Sequence, residues 1–376
     1  MKKIRKYILP VLFMGFVTIL ALLTFVLPPK EYSENEKRIL APFPQFTAES
    51  VLSGTFQKEL ESYMADHLAG RDFFVGLNAY FDRLLGRNTL SDIYYCDGGY
   101  LINAPQRASS QSFEKNMANF ERFSKECGIP STLMIVPTAG YIMEDKLPPF
   151  HAQYRDDELF RLASELTPSL SFLDVRKSLY DAYADENTQV YYRTDHHLTS
   201  AGSHILYKEF CKNVGTSAPP ENVYTVTEHD GFYGTTYSGS GYFLTEPDKI
   251  EIRDLGEDIK VTLEEKDSKA SDTMFFLEHL GKKDMYPVFL DGNHGYVHIE
   301  NTHSYGGNLL IIRDSYAQSF APFLAHNYRN IYMLDMRYYR ASMADFVKAN
   351  NIDRILYLYG LNTLLTDESS SWLFFK

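Results

Sequence analysis

The sequence contains few cysteines, a single tryptophan and no excess of positive charge. Three cysteines without a Cys-x-x-Cys pair exclude a disulfide framework, a zinc ribbon and a thioredoxin-type site, and leave room for one disulfide at most. Lysine and arginine number 37 against 49 aspartates and glutamates, a formal net charge of −12. A chain this acidic is a poor candidate for binding nucleic acid. The 44% of hydrophobic residues is typical of a globular protein.

A second long apolar run is also missing, so the sequence predicts a single membrane span. Residues Ile8–Leu27 carry no charge and follow a basic cluster at residues 2–6. Such a run crosses a hydrocarbon core of about 30 Å, and the basic cluster predicts a cytoplasmic N-terminus. Residues 1–29 are therefore interpreted as an anchor that ends at Pro28 and Pro29, with the rest of the chain outside the cell. A cleaved signal peptide is the alternative, although Thr24–Leu27 is bulkier than a cleavage site.

The chain beyond the anchor divides into two parts by its residue pattern. Residues 30–90 are predicted to form a proline-punctuated juxtamembrane linker followed by helices. Residues 91–376 are predicted to form the main domain, beginning with a hairpin at Ser91–Asn103. A β-rich insertion is expected at about residues 220–305, with short alternating stretches at Lys249–Asp254 and Val288–Asp291.

Within the main domain, short apolar strands alternate with helices of about ten residues or more. This rhythm predicts an α/β fold with right-handed crossovers and a parallel sheet. The predicted strands are Thr132–Val136, Ser171–Val175, Leu309–Arg313, Ile331–Asp335 and Arg354–Tyr359. The predicted helices are Ser112–Cys127, Asp156–Leu166, Ser200–Asn213 (with Thr199 as N-cap), Tyr316–Asn327 and Ala341–Asn350.

Residues able to do chemistry follow the predicted strands, at the sheet edge where open parallel sheets place their sites. Ser315 follows a buried strand and is a candidate nucleophile, with a helix N-cap as the alternative. Asp195 and His197, in the loop before a helix, are a candidate orienting carboxylate and general base. Two other roles stay open for this loop: a solvated turn, or a metal site with His204. Asn362 follows the last strand and is a candidate oxyanion donor.

Taken together, these blocks resemble the DHHW family, named for Asp-His-His-Trp, and the wider group of SGNH-like sugar O-acetyltransferases that includes the alginate proteins AlgJ and AlgX. In that group an Asp-x-His pair precedes the serine, and Asp195 and His197 match it. Asp314-Ser315 matches the nucleophile block, and Gly360-x-Asn362 matches the block that supplies an oxyanion donor. The juxtamembrane stretch also resembles the family's. Its matching residues are Glu36, Arg38, Leu40, Pro42, Pro44, Phe56, Asp66 and Arg71.

Three departures from the family pattern accompany this resemblance. Leu198 stands where the family has tryptophan, and Arg313 stands where the nucleophile block usually has glycine. After the strand Ile331–Asp335 there is no clear glycine of the family's second block, so the second oxyanion donor is unassigned. The Ser315 backbone N–H is expected to be the first oxyanion donor. Side chains next to the matched blocks are candidate substrate contacts: Tyr192, Arg193, His196, Arg313 and Tyr316.

The resemblance implies a three-layer SGNH-like domain that transfers an acetyl group to an extracytoplasmic polysaccharide through Ser315. It also implies a multi-pass membrane acyltransferase partner that supplies the acyl group, with no cofactor or metal. An SGNH-type carbohydrate esterase using the same residues is one alternative, and a non-catalytic glycan-binding or assembly protein is another. The polymer, the acyl group, the acceptor hydroxyl and the oligomeric state are left open.

Overall fold

The structure of the protein is a computed structural model that describes residues 2–33, 35–87, 89–184, 188–264 and 268–375. For residues 2–6 it describes the backbone alone, so the side chains of the predicted basic cluster lie outside the description. The chain forms two compact units. The smaller unit comprises Met1–Ser91 and Tyr237–Thr245, and the larger comprises Asp92–Thr236 and Glu246–Lys376. The division of the chain at residues 29 and 90 stays a prediction.

The helices and strands are numbered here in chain order. The helices are α1 (Lys2–Val26), α2 (Ala48–Leu52), α3 (Thr55–His67), α4 (Arg71–Leu84), α5 (Gln111–Cys127), α6 (Ala139–Ile142), α7 (Asp156–Leu166), α8 (Arg176–Ala184), α9 (Ser200–Val214), α10 (Thr235–Ser240), α11 (Ala317–Leu324), α12 (Met343–Ala349) and α13 (Leu361–Thr366). The strands are β1 (Tyr32–Ser33), β2 (Arg38–Ile39), β3 (Thr89–Leu90), β4 (Ile93–Tyr95), β5 (Leu101–Asn103), β6 (Ser131–Val136), β7 (Ser171–Leu173), β8 (Thr225–Phe232), β9 (Asp248–Asp254), β10 (Lys260–Leu263), β11 (Lys269–Ser271), β12 (Tyr296–Glu300), β13 (Asn308–Arg313), β14 (Asn330–Leu334) and β15 (Arg354–Gly360).

Helix α1 gives the smaller unit its long apolar element. Within the described residues, Tyr7–Val26 is the one helical stretch long and apolar enough to cross a membrane, and a single-pass anchor and a signal sequence both fit it. The helix ends just before Pro28 and Pro29, as predicted. It packs on its own unit, where Phe16 meets the Phe74 ring edge to face and the Thr24 hydroxyl accepts a hydrogen bond from Ala69 N–H.

The charged residues of the juxtamembrane motif form an ion-pair network in this smaller unit. Arg38 pairs with both Asp66 and Glu36, and Glu36 also pairs with Arg71. Asp66 in addition accepts from Ala41 N–H at 2.8 Å. These contacts fasten the extended linker to α3 and α4, which accounts for these residue types at these positions.

The larger unit is built on an eight-stranded sheet, counted over the described residues, in the order β11-β10-β12-β14-β13-β15-β6-β7. The five strands from β14 to β7 run parallel, as the strand and helix rhythm predicts. Strands β12, β10 and β11 extend the sheet by antiparallel pairing. The predicted β-rich insertion thus contributes the far edge of the main sheet and also the separate pair β8–β9.

Alternate side chains of the central strands enter two hydrophobic cores, one on each face of the sheet. Leu309 and Ile311 of β13 point into the core formed with α6, α8, α9 and α11. Leu310 and Ile312 point into the core formed with α5, α7, α12 and α13. This is a three-layer α/β arrangement, and Leu309–Ile312 of β13 are all apolar because the strand is buried on both faces.

One predicted strand is wrong. Val288–Asp291 is not a strand, because Tyr286–Val288 forms a single 3₁₀ turn with Pro287 inside it. Within the described part of the chain, an isolated bridge between Phe275 and Phe289 is the one strand-type pairing of this stretch. Leu290 and Asp291 also both have a positive φ of 58°, which is incompatible with an extended strand.

Candidate active site

The site lies at the carboxyl edge of the parallel sheet, where β13 and β15 end side by side. Arg313, the last residue of β13, is in register with Leu358 of β15. Ser315 therefore follows one strand and Asn362 the neighbouring strand at the same edge. The loop of Asp195 and His197 comes from the segment before α9, where Tyr191 and Leu198 bridge its two sides.

The side chains of Asp195, His197 and Ser315 form a continuous chain of hydrogen bonds. Ser315 Oγ lies 2.7 Å from His197 Nε2, and His197 Nδ1 lies 2.5 Å from Asp195 Oδ1. An ionised carboxylate can only accept, so Nδ1 carries the proton and Nε2 is left to accept from the serine hydroxyl. Asp195 and His197 are 2% and 4% exposed, whereas Ser315 is half-buried. This geometry can raise the nucleophilicity of a serine.

The carboxylate of Asp195 is held at both oxygens. Oδ1 also accepts from the His197 N–H at 2.9 Å, and Oδ2 accepts from the N–H and hydroxyl of Thr235 at 2.5 and 2.8 Å. Burial raises the pKa of Asp195, but the charges of His197 and His196 and these hydrogen bonds outweigh it, and the pKa lies well below its usual value. Asp195 is therefore ionised and fixed in position.

Sequence reasoning missed Thr235 and Tyr286, which both come from the insertion. The Tyr286 ring stacks on His197 with centroids 4.0 Å apart, and its hydroxyl donates to the Ser315 carbonyl at 3.2 Å. Burial raises the pKa of Tyr286, which keeps its hydroxyl a donor. The sequence feature that could have pointed to the Thr235 loop is the preceding Gly234, because a side chain at position 234 would overlap Asp195.

Asp314 shapes the turn that carries Ser315. Its buried carboxylate accepts from Tyr316 N–H at 3.0 Å and from Gly360 N–H at 2.9 Å, which joins the two strand ends. Burial raises its pKa above the usual value. The Ser315 N–H has no partner among the described residues, and neither has the half-buried side-chain amide of Asn362. Both donors are available to an oxyanion.

The predicted substrate contacts differ in where the structure places them. Tyr192 and Arg313 are buried, so they offer no surface to a substrate in this structure. Arg193 is half-buried, and its Nη1 lies 3.6 Å from Glu246 Oε2. His196 and Tyr316 border the reacting groups: Tyr316 OH donates to the His196 carbonyl at 2.8 Å, and both rings contact His197.

A metal site that includes His204 is not assembled in the described residues. His204 is buried against the Phe323 ring, and its closest acidic oxygen is Glu221 Oε1 at 3.7 Å. Asp195, His196 and His197 are close enough to share an ion. However, both ring nitrogens of His197 are already bonded, so an ion would have to displace the serine or the carboxylate. The three cysteines, Cys96, Cys127 and Cys211, are unpaired.

Two family models match the chain, each over less than half of its length. A model described as DHHW protein matches residues 174–334, and one described as SGNH hydrolase-like domain, acetyltransferase AlgX, matches residues 94–229. The first range contains Asp195, His197 and Ser315. No curated protein matches. The predicted resemblance to the DHHW and SGNH-like acetyltransferase group is confirmed.

Solved structures share the fold. A DHHW family protein from Eubacterium siraeum, 23% identical, covers 77% of this chain and 97% of its own with a TM-score of 0.66. Bacillus cereus PatB1 with a sulfonyl adduct is 19% identical and covers 76% and 98%, with a TM-score of 0.63. The O-acetyltransferase domain of Pseudomonas putida AlgJ is 14% identical and covers 73% and 92%, with a TM-score of 0.47. The first two of these structures, together with the match to the SGNH hydrolase-like family model, confirm the predicted α/β SGNH-like fold.

Proposed function

We propose that the protein is an extracytoplasmic O-acetyltransferase that modifies a cell-surface or exported polysaccharide through an acyl-enzyme at Ser315. The observation that carries this proposal is the unbroken chain from Asp195 through His197 to Ser315, with links of 2.5 and 2.7 Å. The similarity to SGNH hydrolase-like acetyltransferases supports the same reaction class.

In the first half-reaction, Ser315 Oγ attacks the carbonyl carbon of an acyl donor and its proton passes to His197 Nε2. The negative charge that forms on the carbonyl oxygen is stabilised by the Ser315 N–H and by the amide of Asn362. The tetrahedral intermediate then collapses, and His197 returns the proton to the departing group. Asp195, ionised and doubly held, stabilises the imidazolium throughout.

In the second half-reaction, a sugar hydroxyl attacks the acyl-serine and gives its proton to His197. Collapse releases the acetylated sugar, and Ser315 recovers the proton. Water in place of the sugar makes the same residues a carbohydrate esterase, so acceptor binding and water exclusion separate these two functions. A non-catalytic glycan-binding role is disfavoured, because it gives no reason for a serine, a histidine and a carboxylate to be bonded in series.

The acyl donor and the location are part of the same proposal. Helix α1 serves as a single-pass membrane anchor, and the larger unit lies on the extracytoplasmic side of that membrane. Acetyl-CoA is not expected there, so a multi-pass membrane acyltransferase is the proposed donor of the acyl group. The reaction chemistry described for the chain's own residues needs neither a metal nor a cofactor.

Intact mass spectrometry tests the acyl-enzyme directly. The full chain in detergent is incubated with an activated acetyl ester, and separately with a sulfonyl fluoride. We expect one adduct on the wild type, none on Ser315→Ala, and an unchanged adduct on Ser304→Ala, whose hydroxyl donates to the His326 carbonyl away from the site. An unlabelled wild type, with a donor that labels a related enzyme, would contradict the proposal. Transfer is then separated from hydrolysis by adding candidate polysaccharides and measuring acetylated sugar against free acetate.

A further inference from the structure

Arg313 is fully buried beside the nucleophile, and the reaction steps above leave it without a role. It is the last residue of β13, and its side chain has no exposed surface. Its Nη2 donates to the His294 carbonyl at 3.0 Å and its Nη1 donates to the Asp314 carbonyl at 3.4 Å. An unexposed cation is costly unless its surroundings compensate for the lost water.

Among the residues that the structure describes, no short ion pair neutralises this guanidinium. The nearest carboxylate oxygen, Asp335 Oδ2, lies 4.0 Å from Nη1. That carboxylate is already bound by Arg337, whose Nη2 lies 2.6 Å from the same oxygen. Arg313 Nε has no partner among the described residues. The charge of Arg313 is therefore directed mainly at two peptide carbonyls, one of which belongs to the Asp314–Ser315 peptide.

That peptide carries the Ser315 N–H. The structure has no cis peptide bond in the described residues, and in a trans peptide the C=O and the N–H point in opposite directions. The Asp314 carbonyl is held on one side by Arg313 and by Ala317 N–H at 3.4 Å. The Ser315 N–H therefore projects away from the guanidinium, and it has no partner among the described residues.

We propose that Arg313 is a positioning residue that orients and polarises the Asp314–Ser315 peptide, so that the Ser315 N–H stabilises the oxyanion of the reaction. This inference rests on the proposed acyl-enzyme function. A positive charge at the carbonyl oxygen draws electrons from the N–H and makes it a stronger donor to an anion. The contribution is larger for the charged transition state than for the neutral ester, so it appears in kcat.

Kinetics of the full chain test this role. Loss of a whole oxyanion donor costs about 10²–10³-fold in kcat, and weakening one donor costs less. We expect Arg313→Met to lower kcat for an activated acetyl ester about 10- to 100-fold with KM changed less than about threefold, and Arg313→Lys to recover part of the loss. Affinity for a small boronic acid, which forms an anionic tetrahedral adduct on serine, is expected to fall by the same factor as kcat.

Arg340→Met is the matched control, because Arg340 also donates to backbone carbonyls, those of Met336 and Tyr339, but not to Asp314. Its kcat should equal that of the wild type. A folded Arg313→Met with wild-type kcat would overturn the inference, as would a variant whose KM rises as much as kcat falls. If Arg313→Met does not fold, Arg313→Lys decides: lower kcat at constant KM supports the role, and unchanged kcat overturns it. If the wild type forms no acyl-enzyme, the proposed function fails together with this inference. If the wild type reacts and Arg313→Met is equally active, only the inference about Arg313 fails.

Discussion

A single methyl group at Gly234 is predicted to disable the site although Asp195, His197 and Ser315 are themselves unchanged. A Cβ built at Gly234 lies 2.1 Å from Asp195 Cβ and 2.3 Å from its Oδ2. Carbon atoms in contact settle at about 3.5 Å or more, so one of the two groups must move by more than about 1 Å. Asp195 cannot move that far and keep its bonds to His197 and Thr235. The backbone φ of Gly234 lies outside the left-handed range that alanine avoids, so the expected loss comes from the overlap and not from backbone strain.

The size of the effect follows from the role of the carboxylate. Replacing the triad aspartate by asparagine lowers kcat about 10⁴-fold in serine proteases, and a misplacement of about 1 Å can cost about 10²-fold. We therefore expect Gly234→Ala to lower kcat about 10²- to 10⁴-fold in the acetyl-ester assay. Gly76→Ala is the matched control, because a Cβ there meets its nearest neighbours at an ordinary 3.6 Å.

A double-mutant cycle shows whether Gly234→Ala acts through Asp195. If it does, Gly234→Ala combined with Asp195→Asn is no slower than Asp195→Asn alone. Two results would refute the reasoning: a folded Gly234→Ala within about threefold of wild-type kcat, or two losses that multiply in the double variant. Circular dichroism and melting curves establish that each variant is folded.

Three further predictions follow from groups around the site and the core. Thr235→Val removes one of the two donors to Asp195 Oδ2, and steady-state kinetics should show a kcat about tenfold lower. Thr235→Ser retains the hydroxyl and should keep most of the activity. Tyr286→Phe keeps the stacked ring but loses the bond to the Ser315 carbonyl, so the rate of sulfonyl labelling should fall by less than about tenfold, against a much larger loss for Tyr286→Ala. Burial lowers the pKa of His204 from 6.5 to about 4. As the pH falls from 6.5 towards 4, this histidine therefore binds a proton in the unfolded chain but not in the folded one, and the folded state loses stability over that range. Urea unfolding should show a smaller loss over this window in His204→Phe, and an equal loss in both proteins would contradict the assignment.

The local sequence pattern predicts much of the larger unit because its strands are uniformly apolar and its helices are periodic. The parallel strands from β6 to β15 and helices such as α7 and α9 lie within a few residues of their predicted bounds. Ser315 was named because polar residues after parallel strands meet at one edge, and Asp195 and His197 were named because a serine nucleophile needs a base and an orienting carboxylate; the structure brings the three together. Their catalytic roles remain the proposal above.

The insertion was much harder to predict, because long-range pairing decides its structure. Its strands β10 and β12 join the main sheet through partners far away in the chain, and nothing in their own sequence specifies that neighbour. Thr235 and Tyr286 reach the site the same way, so sequence reasoning found neither. Arg313 was named a candidate substrate contact because it lies next to the nucleophile block, whereas in the structure it is fully buried and donates to two backbone carbonyls.

The separation of the reacting groups along the chain has a consequence for folding. Ser315 and His197 are 118 residues apart, and the segment between them contains four of the eight strands of the main sheet, β10 to β13. Closing such a long loop is entropically costly, and contacts between distant residues form late. A chain still being synthesised or translocated therefore contains an ordinary, unreactive serine hydroxyl. Under the proposed mechanism, Ser315 can attack an acyl group only after most of the sheet has assembled, so activity is expected only once the fold is complete.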